Sequence, residues 1–231
     1  MTLTSKDMLC FALDVPDANE AQKWINLLQG RVGTFKVGLE LFIAGGPALV
    51  YMVKASGAKC FLDLKLHDIP ETVSRAVKRG VTLGADFMTI HTSGGHEMIQ
   101  AAHEAAEGKT KILAVTALTS LNDLSCEGIY GVDRVTTTRC LMDYAYKSGA
   151  TGFVCSAVDV EEGRHGYPGC FFLVPGIRPA GASLGDQKAV GTPAAAIRGG
   201  ADLLVVGRPI RDAADPIKAT EDILTEIANA L

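Results

Sequence analysis

The chain is 231 residues long and carries a formal net charge of −4, with an isoelectric point near 5.7. This charge excludes the strongly basic surface of a nucleic-acid-binding protein, and no apolar stretch approaches the roughly 20 residues of a membrane-spanning helix. The first residues, MTLTSKD, lack the basic region, apolar core and cleavage site of a secretory signal. We therefore expect a cytoplasmic protein that binds neither nucleic acid nor a membrane.

Apolar, strand-like runs alternate with helical patterns along the whole chain. The predicted strands cover residues 9–13, 35–38, 60–65, 87–90, 112–116, 152–155, 171–174 and 203–206. The helical spacing of Ala21, Ile25 and Leu28 predicts a first helix, and another helix is predicted to follow Pro70. Repeated units of this kind predict a parallel (β/α)₈ TIM barrel formed as a single domain over residues 1–231. No G-x-G-x-x-G sequence follows the first strand, which disfavours a dinucleotide-binding fold.

The predicted strand ends are polar, and in a parallel barrel the functional residues lie at the carboxyl ends of the strands. These positions hold Asp14, Lys36, Glu40, Asp63, Lys65, His91, Thr116, Thr119 and Ser120. A single residue of this kind is more often a cap or a turn former. Because all of them are expected to converge at one mouth of the barrel, they predict a site for a polar ligand.

The most charged of these strand ends is the segment 63–70, with the sequence DLKLHDIP. Strand alternation places Asp63 and Lys65 on one face, and Asp68 follows three residues later. Carboxylates beside an ammonium group offset much of its desolvation cost and stabilise its protonated form. Such a lysine is suited to donating a proton or to holding an anion. A structural ion pair at a strand end explains the spacing equally well.

The second half of the chain predicts an anion site. Gly207 and Arg208 follow the last predicted strand, at the point where barrels often bind phosphate through backbone N–H groups. A guanidinium group adds a bidentate contact. After the seventh strand, Arg178 begins a glycine-rich stretch that runs to Gly191 and has the length of a mobile lid. The arginines favour a lid over a plain surface loop.

Several of these segments follow one another in a familiar order. They are 11–14 (FALD), 35–38 (FKVG), 63–72 (DLKLHDIPET), 115–120 (VTALTS), 175–179 (PGIRP) and 206–210 (VGRPI). Together they resemble the orotidine 5'-phosphate decarboxylase family over nearly the whole chain, and residues 63–72 match its active-site signature. The short lid is similar to that of the compact bacterial members. The resemblance implies conversion of orotidine 5'-monophosphate (OMP) to UMP and carbon dioxide in pyrimidine synthesis.

The resemblance also implies catalytic roles. Lys65 is expected to protonate C6 of the pyrimidine as carbon dioxide leaves. Asp63 is expected to lie beside the substrate carboxylate, and Lys36 to complete the charged network. Asp68 is expected to reach the site of the neighbouring subunit, which implies a homodimer with shared active sites.

Further roles implied by the resemblance concern substrate binding. Asp14 and Lys36 are expected to hold ribose hydroxyls, and Thr72 to help position the ribose from across the dimer interface. Ser120 is expected to bind the pyrimidine ring, with Thr119 at the edge of the same pocket.

The phosphate-binding roles implied by the resemblance lie in the last third of the chain. Gln187 from the lid is expected to bind the phosphate together with Gly207 and Arg208, and Arg178 to help close the loop. The resemblance implies no metal and no organic cofactor.

Two other functions stay open. A sugar-phosphate decarboxylase of the magnesium-dependent 3-keto-gulonate 6-phosphate type resembles this family in its Asp-x-Lys-x-x-Asp core and would recruit Glu40 as a metal ligand. Lys36 and the continuation 69–72 (IPET) favour the nucleotide enzyme. The third function is that of a catalytically silent phosphate-binding barrel. Such a protein would have little reason to keep an ammonium group between two carboxylates.

Overall fold

Eight parallel strands close into a barrel in the computed structural model, which describes residues 4–179 and 191–231. The strands are β1 (Leu9–Ala12), β2 (Thr34–Gly38), β3 (Lys59–Leu66), β4 (Phe87–His91), β5 (Lys111–Val115), β6 (Gly152–Val154), β7 (Phe171–Val174) and β8 (Leu203–Val206). Each pairs with its neighbours in chain order, and β1 pairs with β8. The predicted TIM barrel is confirmed. Each predicted strand is present, with ends that differ by at most one residue.

Helices surround the barrel. They are α1 (Ala18–Leu28), α2 (Leu39–Gly45), α3 (Ala48–Ala55), α4 (Pro70–Leu83), α5 (His96–Ala106), α6 (Asp123–Tyr130), α7 (Arg134–Lys147), α8 (Val160–Gly166), α9 (Pro193–Arg198), α10 (Arg208–Arg211) and α11 (Pro216–Ala228). Short 3₁₀ helices cover Ser5–Met8 and Thr92–Gly94. None of these described helices is long and apolar enough to cross a membrane.

Local sequence explains where these helices begin and end. The Asp17 carboxylate caps α1 by accepting the Asn19 and Glu20 N–H groups, each at 2.9 Å. Helix α4 begins at Pro70. The first N–H groups of a helix have no partner within the helix, so the N–H group that proline lacks is not needed there. The helix stops before Gly84, which has a φ of 84°. This start places α4 directly after the charged end of β3.

Buried apolar side chains form two clusters on the two faces of the sheet. Along β1, Leu9 and Phe11 join the cluster between the strands and the helices, whereas Cys10 and Ala12 join a cluster inside the barrel. The other buried members of the inner cluster are Phe61, Phe87, Leu113, Leu173, Leu203 and Val205. Because both faces are covered, the strands are apolar throughout, as in other parallel sheets. The inner cluster supports the polar residues that lie beyond it at the barrel mouth.

Candidate active site

Four charged side chains meet at the mouth of the barrel, near the carboxyl ends of β1, β2 and β3. The Lys36 ammonium group lies 2.8 Å from Asp14 Oδ1 and 3.8 Å from Asp63 Oδ2. The Lys65 ammonium group donates to both oxygens of Asp63, at 2.9 Å to Oδ1 and 2.8 Å to Oδ2. Carboxylates and ammonium groups therefore alternate, and each charge has an opposite charge beside it.

The central part of this charged array is shielded from water. The side chains of Lys36 and Asp63 are only 12% and 11% exposed. Burial by itself lowers the pKa of Lys36, but Asp14 and Asp63 together outweigh this effect and raise the pKa above its ordinary value. Lys36 therefore keeps its positive charge throughout the neutral pH range and neutralises the two carboxylates that it contacts.

The backbone at Lys65 departs from the regular strand that the sequence predicts. Lys65 has a φ of 49°, in the left-handed region, and the pairing of β3 with β4 shifts register between Leu62 and Leu66. In this bulge the Lys65 N–H group donates to Thr89 Oγ1 at 2.9 Å. Asp63 and Lys65 therefore reach the same mouth, but an irregular turn of the chain brings them there rather than strand alternation alone.

A mostly apolar cleft of about 580 Å³ opens beside the array. Its charged end is formed by Lys36, Asp63 and Lys65. The remaining lining residues are Phe61, Val115, Ala117, Leu118, Thr119, Val154, Cys155, Leu173, Pro175 and Val205. Burial raises the pKa of the Cys155 thiol, followed by the effect of the nearby Asp159 carboxylate, so that the thiol stays protonated. A cleft with apolar walls and one charged end is suited to a flat ring that bears an anionic group.

A second, more polar cleft of about 830 Å³ adjoins the first and shares Lys36, Pro175 and Val205 with it. Its other lining residues are Ala12, Asp14, Gly176, Arg178, Gly207, Arg208 and Arg211. Three guanidinium groups in one cleft indicate an anion-binding site.

Arg211 was not predicted from the sequence. It lies about one helical turn beyond Gly207 and Arg208, outside the segment directly after the last strand where the anion site was expected. Its Nη1 donates to the backbone oxygen of Asp14 at 2.9 Å, and its Nε donates to Asp212 Oδ1 at 2.8 Å. Arg211 thus connects α10 to the segment after β1 that carries Asp14.

Other sequence-predicted residues line neither cleft. Ser120 is exposed in the turn after Thr119. Asp68 is exposed between β3 and α4, and Thr72 is exposed in the first turn of α4. Asp68 Oδ1 accepts the Ile69 N–H at 2.7 Å. Most of the predicted lid, including Gln187, falls on 180–190 and so lies outside the described residues. Its two ends are described, and there the Arg178 N–H group donates to the Gly191 backbone oxygen at 3.0 Å.

Sequence reasoning also assigned no role to two residues beside the charged array. Thr89 Oγ1 donates to Asp63 Oδ1 at 2.9 Å, and no sequence signal marks it, because threonine is common in strands. A Cβ atom at Gly38 would lie 2.9 Å from Lys36 Nζ and 3.4 Å from Asp14 Oδ1. Gly38 could have been noticed from the sequence, because it ends the 35–38 segment that contributes to the family resemblance.

The acidic residues of the mouth do not form a metal site. Within 4–179 and 191–231, no group of three or more His, Cys, Asp or Glu side chains is placed to hold a metal ion. Glu40, which the magnesium-dependent alternative would recruit, is exposed in the first turn of α2. The expectation of a reaction without metal stays a prediction.

Comparison with a family model places this barrel among known enzymes. Residues 7–223 match the model described as "Orotidine 5'-phosphate decarboxylase / HUMPS family". The chain belongs to this family. The resemblance inferred from the sequence motifs is therefore confirmed, and the match extends from the 3₁₀ helix before β1 into α11.

Individual members of the family match over nearly their full length. An orotidine 5'-phosphate decarboxylase from Anaeromyxobacter sp. (strain K) is 46% identical over 220 residues, which cover 94% of this chain and 96% of the relative. One from Halorhodospira halophila is 44% identical and covers 100% of both chains. The crystal structure of the enzyme from Lactobacillus acidophilus has a TM-score of 0.83 at 35% identity, over 95% of this chain and 98% of that one.

Proposed function

We propose that this protein decarboxylates OMP to UMP and carbon dioxide in de novo pyrimidine biosynthesis; its relatives are named orotidine 5'-phosphate decarboxylase. The observation that carries the proposal is the Lys36, Asp63 and Lys65 array at the charged end of an apolar cleft. The adjoining arginine-lined cleft provides a place for a phosphate group. A nucleoside monophosphate has these parts in the same order: a flat ring, a sugar and a phosphate.

The chemistry explains why an ammonium group is required. Loss of carbon dioxide from C6 leaves a carbanion that no adjacent carbonyl group can delocalise. The uncatalysed barrier is therefore very high, and its reduction must approach the upper part of the range of about 8–23 kcal/mol that enzymes achieve. Lys65 stabilises the developing negative charge and then donates a proton to C6. Because Asp63 fixes the ammonium group beforehand, little reorganisation is needed during the reaction.

The substrate is proposed to extend across both clefts. Asp63 lies beside the substrate carboxylate, while Thr119 and Ser120 contact the pyrimidine ring. Asp14 and Lys36, which line the second cleft together, hold the ribose hydroxyls. This placement puts the sugar at the junction of the two clefts.

The phosphate group is proposed to bind at the far end of the second cleft. Gly207 and Arg208 contact it there, Gln187 joins them from the lid, and Arg178 helps to close the loop. Binding energy from this remote group holds the ring against the charged array, which favours the chemical step. Because Lys65 supplies both the positive charge and the proton, the mechanism calls for no metal and no organic cofactor.

The active site is proposed to be completed by a second copy of the chain. Asp68 and Thr72 are exposed beside the charged end of β3, and within the described part of the chain they line neither cleft. In a homodimer, Asp68 extends the array of the neighbouring subunit and Thr72 helps to position its ribose. We place this homodimer in the cytoplasm.

The proposed function is tested by incubating EDTA-treated protein with OMP and following the loss of the orotate chromophore by ultraviolet absorbance. A parallel reaction contains 3-keto-gulonate 6-phosphate and magnesium. Metal-free conversion of OMP to UMP is the expected result. Magnesium-dependent turnover of the sugar phosphate alone would assign the protein to the alternative reaction, and no turnover of either substrate would favour a binding role.

A further inference from the structure

The hydroxyl group of Thr89 on β4 connects the two most important residues of the charged array. Thr89 Oγ1 donates to Asp63 Oδ1 at 2.9 Å and accepts the Lys65 backbone N–H at 2.9 Å. Its residue is only 1% exposed, so water does not replace either contact. Thr89 lines neither cleft. It therefore contacts the array from a buried position outside both clefts.

The contact to Lys65 coincides with an irregular backbone. Lys65 has a φ of 49°, which is unfavourable for a residue with a side chain. The register shift between Leu62 and Leu66 places three residues of β3 opposite Thr89 alone. The Thr89 hydroxyl provides the acceptor for the Lys65 N–H group at this point, and an unsatisfied N–H in this partly buried bulge would be costly.

The contact to Asp63 fixes the other half of the pair. Both oxygens of Asp63 accept from the Lys65 ammonium group, so the orientation of this carboxylate determines where the ammonium group lies. Thr89 donates to Oδ1 from outside the cleft. One hydroxyl group therefore restrains the main chain of Lys65 and, through Asp63, the end of its side chain.

We propose that Thr89 is a positioning residue for the decarboxylation, one that keeps the Lys65 ammonium group at the reacting carbon without touching the substrate. This inference rests on the proposed function. Replacement of Thr89 should reduce the rate of the chemical step while leaving ligand binding intact, because the binding groups in the second cleft are unchanged. A small displacement of a catalytic group is enough to lower the rate about 100-fold.

The decisive variant is Thr89→Val, which preserves the shape of the side chain and replaces only the hydroxyl group with a methyl group. We expect kcat for OMP to fall about 10- to 100-fold, the effect of losing one hydrogen bond to a charged group. The KM for OMP and the Kd for UMP should stay within about threefold. Thr89→Ser, which keeps the hydroxyl group, should restore most of kcat. If Thr89→Val does not fold, Thr89→Ala and Thr89→Ser provide the same comparison between side chains that are both smaller than threonine.

The matched control is Thr110→Val. Thr110 is also buried, and its hydroxyl donates to the Ala85 backbone oxygen at 2.7 Å, before the start of β5 and so at the opposite end of the barrel. This variant should lose stability without losing kcat. An unchanged kcat in Thr89→Val, an equal loss in Thr110→Val, or a serine variant no better than alanine would overturn the positioning role. A parent protein that does not convert OMP would instead overturn the proposed function itself.

Discussion

The ammonium group of Lys65 is the one group in the array that the proposed mechanism requires to move a proton. Replacing Lys65 by Ala should lower kcat for OMP by at least about 1,000-fold, since both the charge and the proton donor are lost. Folding and UMP binding should be largely retained, because neither the phosphate cleft nor the apolar core is altered. Stopped assays of UMP formation and calorimetric titration with UMP measure the two properties.

The chain offers a matched control for this variant at the opposite end of the same strand. Lys59 is exposed at the start of β3, so Lys59→Ala removes the same charge at a distance from the mouth. It should turn over OMP at close to the parent rate. Near-normal turnover by Lys65→Ala would remove that lysine from the mechanism.

Gly38 tests how closely the Lys36 side chain must be placed. A methyl group at this position would lie 2.9 Å from Lys36 Nζ and 3.4 Å from Asp14 Oδ1, so that Gly38→Ala should push the ammonium group away from Asp14. We expect kcat/KM for OMP to fall about tenfold or more, with little change in melting temperature. Gly166→Ala in α8 is the control, because nothing lies within 4 Å of the added atom. Equal activity of the two variants would show that the placement of Lys36 is not critical.

The residues of the mouth could be predicted from the sequence only where the strand pattern itself reveals them. The polar ends of apolar runs hold Asp14, Lys36 and Asp63, and this pattern is visible in the order of residues along the chain. Thr89 gives no such signal, because its importance comes from a bulge in the neighbouring strand. The left-handed backbone of Lys65 is equally hidden, since lysine is not a residue type that favours this conformation.

At the scale of secondary structure the sequence was far more informative. Strand positions follow from apolar runs of four to eight residues between turn-forming residues, and the structure places every predicted strand within one residue of its expected ends. The start of α4 at Pro70 could also be predicted from the sequence to within one residue. The shift between β3 and β4 was not, because register depends on pairs of strands and the sequence pattern describes each strand separately.

A partly buried ion pair connects two elements on the β5 and β6 side of the barrel. Arg134 at the start of α7 donates to Asp159 Oδ2 at 2.8 Å and to Oδ1 at 3.2 Å, and the two side chains are 15% and 11% exposed. Asp159 also accepts the Ser156 hydroxyl. The pair therefore connects α7 to the segment that follows β6, next to Val154 and Cys155 in the apolar cleft.

Arg134→Met should leave the Asp159 carboxylate without its bidentate partner. We expect a loss of about 2 kcal/mol in the free energy of unfolding, measured from the urea midpoint at constant slope. The control lies on the same helix: Arg139 pairs with Glu162 on the exposed surface, and Arg139→Met should leave the midpoint nearly unchanged. A similar small effect in both variants would contradict a stabilising role for the Arg134 pair.

At the scale of the whole molecule, the proposed homodimer explains why several apolar side chains are exposed at the barrel mouth. Ile69 is 66% exposed beside Asp68, and Leu124 and Ile129 are 76% and 62% exposed on α6. Each lies on a segment that follows the carboxyl end of a strand, on the same side as the charged array. A second copy covering this side would bury these side chains and bring its Asp68 towards Lys65. The dimer and the single domain over 1–231 stay predictions.

Shared sites can be detected by mixing two inactive proteins. Lys65→Ala and Asp68→Ala are prepared as separate homodimers, then unfolded and refolded together so that their subunits exchange. Random pairing makes about half of the dimers mixed. If Asp68 acts across the interface, one site of each mixed dimer combines an intact Lys65 from one subunit with an intact Asp68 from the other. The other site of that dimer carries both substitutions.

The mixture should therefore recover about one quarter of the parent activity per subunit, since one site in two is intact in half of the dimers. The control is a mixture of Lys65→Ala with Asp63→Ala. Both of those residues belong to the same strand and bind each other within one chain, so every site keeps one defect and no activity returns. If Asp68 instead served the site of its own chain, the first mixture would be as inactive as the control. Recovery in the first mixture alone thus distinguishes a shared active site from a dimer of independent barrels.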